Sequence, residues 1–119
     1  MNNKLDNTTF ETIKNKVKIC LSLLGFNEKY IAFEYLAYII SYMIIYENDS
    51  YNSFNNALDL ISENHNITKT AINYGLKRIT DKCLNEDIRS KNQYNLTKFG
   101  LLNRIRVIKI WTLKNFYNN

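Results

Sequence analysis

The run from Tyr30 to Tyr46, YIAFEYLAYIISYMIIY, has a single charged side chain, Glu34. Wound as a helix it is apolar nearly all round, so it has almost no face to give to water and must be covered on most sides. A membrane span would need about 20 apolar residues. This run is shorter and is interrupted by Glu34. It therefore reads as a central helix with others packed around it, and Glu34 reads as a rim residue paired with a nearby lysine. The chain has no proline and only three glycines, Gly25, Gly75 and Gly100, which favours helices over a turn-rich β fold. The expected fold is all-α: a small helical bundle that forms one domain over residues 1–119.

Residues 1–7 read as a loose polar end. Thr8 then offers an N-cap, and Glu11 three residues on completes a capping box. Phe10, Ile13, Val17, Cys20 and Leu24 form one apolar stripe, and Gly25 is placed as a stop. Asn27 is expected to cap the central helix, from about Glu28 to Tyr46. Glu47 to Asn52 reads as a polar turn, where Glu47 and Asp49 are solvated neighbours. Asn85 to Asn95 is a charged connector, and residues 96–116 a closing helix. There Leu101, Ile105, Ile108 and Trp111 are helix-spaced, with Arg104, Arg106, Lys109 and Lys114 interleaved. This helix reads as packing on the core; the rival reading is a partner surface with basic edges. Cys20 and Cys83 fall on apolar faces, as reduced core residues of a cytoplasmic protein do. The polar stretch after Met1 has no apolar signal core, so neither export nor a membrane is expected.

Residues 53–84 read as a helix-turn-helix. Phe54, Ala57, Leu58 and Ile61 are helix-spaced, and the run SENHN then breaks the pattern, with small Ser62 before the turn. Thr68 is the N-cap of the second helix, and Ile67 and Ile72 are placed as a hydrophobic staple. Ile72, Leu76, Ile79 and Cys83 make its buried side, so Lys69, Thr70, Asn73, Tyr74 and Lys77 point away from the core. These side chains suit base edges in a major groove, while Arg78, Lys82, Arg89 and Lys91 suit phosphates, so the expected DNA-binding segment runs from Thr68 to Lys82.

The charge distribution points the same way. Residues 1–65 carry five lysines against eight carboxylates, whereas residues 66–119 carry eleven lysines and arginines against three. The basic half begins at the candidate recognition helix, the footprint expected of a chain that binds double-stranded DNA.

The runs LGFNEKYIAFEYLAYIISYMI and NNALDLISENHNITKTAINYGLKRITDKCLNE resemble the C-terminal DNA-binding effector domain of the bacterial sporulation master regulator, stage zero sporulation protein A. The likeness covers roughly Ile13 to Glu86 and fades beyond, with Phe99-Gly100 a weak echo and the family's proline-containing segment missing. Asn66, Ile67 and Thr68 match the family's turn, and Ile72 and Leu76 its buried positions. The resemblance implies an all-helical domain that binds promoter DNA as a homodimer and touches RNA polymerase. This sequence has no receiver domain, so control by aspartyl phosphorylation is not implied. Where the family presents arginines on its recognition helix, this chain has Ala71 and Tyr74, and only Lys77 stays basic. Ala71 can offer a thymine methyl an apolar contact, but not the bidentate guanine contact of an arginine.

Enzyme chemistry has little to work with. His65 is the only histidine and has no clustered cysteines or carboxylates, so no metal site is expected, and it reads as partly buried in the turn. No phosphate-cradling glycine loop or Gly-x-Ser-x-Gly elbow occurs, and no cofactor is expected. Two functions remain. One is a DNA-binding transcriptional regulator. The other is a protein-interaction module that keeps the fold but not the specific reading, and pairs with a regulator or with RNA polymerase through its aromatic, basic C-terminal helix.

Overall fold

The computed structural model describes residues 7–83 and 99–118. Of the loose end expected over residues 1–7, Asn7 is instead helical, and residues 1–6, the connector Asn85–Asn95 with Arg89 and Lys91, and residues 84 and 96–98 lie outside the described residues. The described chain is all-helical: α1 Asn7–Leu23, α2 Ile31–Ile45, α3 Tyr51–His65, α4 Lys69–Cys83 and α5 Leu101–Asn118.

Helix α2 is the centre, as its sequence requires. Nine of its fifteen residues are buried, Phe33, Leu36, Ile39, Ile40 and Met43 among them, and α1, α3, α4 and α5 all pack on it. Each such aliphatic or aromatic side chain contributes about 1.5–3 kcal/mol on leaving water. Among the described residues no helix is long and apolar enough to cross a membrane. Glu34 sits at the rim, 2.5 Å from Lys18 and 3.9 Å from Lys14. The buried hydroxyls of Ser41, Thr80 and Thr112 each donate to the carbonyl four residues back in their own helix, so none is an orphan.

One device closes three of the helices. Gly25, Glu47 and Asn66 all take positive φ, at 102°, 49° and 52°. The amide after each bonds back to a carbonyl in the last turn: Phe26 to Leu21, Asn48 to Met43 and Ile67 to Ser62, at 3.0, 3.1 and 3.2 Å. The stop at Gly25 was legible; the other two use residues with a side chain.

Three helix starts differ from the sequence reading. Thr8 is not a cap: α1 is already helical at Asn7, the Thr8 carbonyl accepts from the Thr12 hydroxyl, and Glu11 pairs with Lys14 instead of reaching back. The Asn27 side chain accepts from the Lys29 amide at 2.9 Å, a local turn that delays α2 to Ile31 behind Tyr30. The Ser50 hydroxyl accepts from the Ser53 amide, so α3 starts at Tyr51, inside the expected turn.

Helix α5 packs on the core through Ile105, Ile108 and Trp111, and starts at Leu101 instead of residue 96 because Phe99 and Gly100 are not helical. Three of its four basic residues are not a free edge. Arg104 is buried, with one guanidinium nitrogen on Asp81 and Thr80 of α4 and another on the Phe99 carbonyl. Lys109 pairs with the Asp49 carboxylate at 2.7 Å, and Arg106 donates to the Asp49 carbonyl at 2.9 Å. Asp49 is thus a clamp between α5 and the α2–α3 turn, not merely a solvated carboxylate. The hydrogen bond from Lys109 holds its carboxyl below the usual carboxylate range, against an opposing effect of burial.

Helices α2 and α4 approach so closely that a Cβ on Gly75 would lie 3.2 Å from the Cβ of Ala32. Gly75→Leu should therefore lower stability by about 1–3 kcal/mol through overpacking, read as a lower denaturation midpoint. A depressed folded-state pKa means that the Asp49 clamp stabilises above the ordinary carboxylate range and is lost as pH falls through the depressed value. Asp49→Asn should thus melt below wild type at neutral pH, and the two should converge in acid. A gap that persists at low pH would sink the assignment.

Candidate nucleic-acid interface

The corner between α3 and α4 is built from three consecutive residues, Asn66, Ile67 and Thr68. Asn66 supplies the left-handed step. The Ser62 hydroxyl donates to the Ile67 carbonyl at 2.5 Å, tying the end of α3 across the turn. Thr68 caps α4: its hydroxyl oxygen accepts from the Ala71 amide at 3.1 Å. Ile67 packs on the same core cluster that holds Ile72, as a hydrophobic staple requires. His65 is exposed, not partly buried, with its ring edge-on to Tyr35 at 5.6 Å.

Helix α4 divides cleanly. Ile72, Leu76, Ile79 and Thr80 are buried. Thr70, Ala71, Tyr74, Lys77, Arg78 and Lys82 are exposed and form one stripe down its outer side. Tyr74 is 65% exposed, and the Arg78 guanidinium stands 5.9 Å from its ring centre. Lys82 donates to the Tyr30 hydroxyl at 2.8 Å. The Cys83 side chain lies outside the described residues, while the Cys20 thiol is free and buried, and burial pushes its pKa up.

Two of the expected base readers are held differently from the rest. Lys69 lies 2.6 Å from Asp59 of α3, so its charge is largely answered within the chain. Asn73 is half-buried, and its side-chain oxygen is sealed from solvent with no hydrogen-bond partner. A bidentate adenine contact needs both ends of the amide. The side chains of the expected set that face outward are therefore Thr70, Tyr74 and Lys77, with the methyl group of Ala71 beside them.

The electrostatics of the stripe follow from where the acids are spent. Asp59 is taken by Lys69, and Asp81 by Arg104. Among the described residues, Lys77, Arg78 and Lys82 have no carboxylate partner, so the outer side of α4 is left positive. Sequence spacing could not reveal this, because Asp81 is answered from α5 and Tyr30 is brought to Lys82 only by tertiary packing. Among the described residues, no three of His, Cys, Asp and Glu gather as a metal site would require.

A sealed, unpartnered amide oxygen costs about 1–3 kcal/mol. Asn73→Ala removes it and improves helix propensity. The variant should gain about 1 kcal/mol in chemical denaturation; a loss of that size would mean that the amide is satisfied in solution. Comparison with family models, with curated proteins and with solved structures returns no match to this chain.

Proposed function

We propose that the chain is a DNA-binding transcriptional regulator of the sporulation-effector type, in which α3, the Asn66–Thr68 corner and α4 act as a helix-turn-helix. The observation that carries this reading is the outer stripe of α4. It sets Lys77, Arg78 and Lys82 beside Thr70 and Tyr74, with the nearby acids Asp59 and Asp81 already paired. Cations without carboxylate partners are what a phosphate backbone selects, and polar side chains between them are what base edges need. The sequence resemblance to the sporulation effector domain supports the same reading. Binding as a homodimer and contact with RNA polymerase belong to the proposal on that resemblance.

In this arrangement α4 enters the major groove. Thr70, Tyr74 and Lys77 meet base edges, Ala71 meets a thymine methyl, and Arg78 and Lys82 meet phosphates. The second reading, a protein-interaction module, draws on Ala71 and exposed Tyr74, which replace the family's arginines with a weaker reader and an aromatic contact surface.

Two substitutions should act in opposite directions on duplex binding. Lys77→Ala removes a cation from the stripe and should weaken binding several-fold, flattening the salt slope by about one unit. Asp59→Asn removes an acid and releases Lys69, and should tighten binding to all sequences. The assay is fluorescent duplex titrated across a salt series, with selection from fragmented genomic DNA. An enriched motif and the two opposite shifts support a regulator. Weak binding that is indifferent to salt and to both variants supports the interaction module.

A further inference from the structure

Lys69 and Lys82 sit at opposite ends of α4, and both are held by another helix or its cap, but by different chemistry. Lys69 is held by a carboxylate, which cancels its charge. Lys82 is held by the Tyr30 hydroxyl, which is neutral and leaves the ammonium its full charge. The 2.8 Å hydrogen bond is the closer contact; the ammonium is 5.3 Å from the ring centre, beyond the hydroxyl edge and not over the face. An ammonium has three N–H donors, and the tyrosine takes one. The remaining donors are available to phosphate oxygens.

Tyr30 is well placed to be a fixed point. It is the residue before α2, in extended conformation, and its side chain packs against the core cluster. The close approach at Gly75 and Ala32 brings this end of α2 against α4, where Tyr30, Ile31 and Ala32 face Gly75, Arg78 and Ile79 across a shallow groove. One turn before Lys82, the Arg78 guanidinium lies 5.9 Å from the Tyr74 ring centre. The stripe therefore ends in two cations four residues apart, Arg78 against a tyrosine ring and Lys82 on a tyrosine hydroxyl. A lysine on a flexible four-carbon stem normally loses that freedom when it meets a phosphate.

Resting on the DNA-binding reading, we propose that Tyr30 is a positioning residue for DNA: its hydroxyl holds the Lys82 ammonium in place to receive a backbone phosphate at the end of α4. The DNA-facing surface then extends from α4 onto the residue that opens α2.

The test is a double-mutant cycle on duplex binding, with Tyr30→Phe, Lys82→Ala and the double variant measured across the same salt series. Tyr30→Phe keeps the ring and its packing, so its melting temperature should stay close to wild type. It should weaken specific and random duplex alike by about threefold to fivefold, the worth of one hydrogen bond. In the Lys82→Ala background the same change should cost nothing. Equal losses in both backgrounds, or no loss in either, overturn the positioning role while leaving wild-type DNA binding intact. Absence of salt-dependent duplex binding by the wild-type chain overturns the DNA-binding reading and this inference together.

Discussion

Burial of α2 is the constraint from which the rest of the architecture follows. Around α2 the buried residues run from Tyr35 through Leu36 and Phe33 to Ser41, so only the side that carries Ile31 and Glu34 meets water. The remaining helices are therefore cladding, and each must bring one apolar face and keep one polar face. Helix α4 meets that demand with Ile72, Leu76 and Ile79 inward. Its outward stripe of hydroxyl, phenol and cationic side chains is the complement of this packing, and the candidate interface inherits its direction from the core.

Much of this could be read from residue order alone. The apolar circumference of α2, the Thr68 cap and the inward face of α4 are local patterns, because the residues that make them lie within two or three helical turns of one another. The helix starts were less legible. Asn27 and Thr8 are good capping residues by type, yet Asn27 closes a turn on Lys29 and Thr8 is absorbed into α1. Side chains of this kind have several backbone partners in reach, and neighbouring packing chooses among them.

The exposed side of α4 was legible in outline and its electrostatics were not. Spacing picks out Lys69, Lys77, Arg78 and Lys82 equally, since each is a cation off the apolar face. Tertiary packing separates them: Asp59 claims Lys69, Tyr30 claims Lys82, and Lys77 and Arg78 have no carboxylate partner among the described residues. The same holds for α5, where Arg104 looks like an edge charge in the sequence and is an interior strut against Asp81 in the fold. Pairings across tens of residues carry no periodic signal, so no reading of spacing could have found them.

The contact between Gly75 and Ala32 also bears on how such a chain can diverge. The two positions share one small volume, and a Cβ on residue 75 would press inside ordinary van der Waals contact with the Cβ of Ala32. Side-chain size at the pair is a joint quantity: a Cβ at residue 75 needs residue 32 to give way by a few tenths of an ångström. Among descendants of this chain the two positions should change together, as one inherited unit that records how near the outer helix stands to the centre.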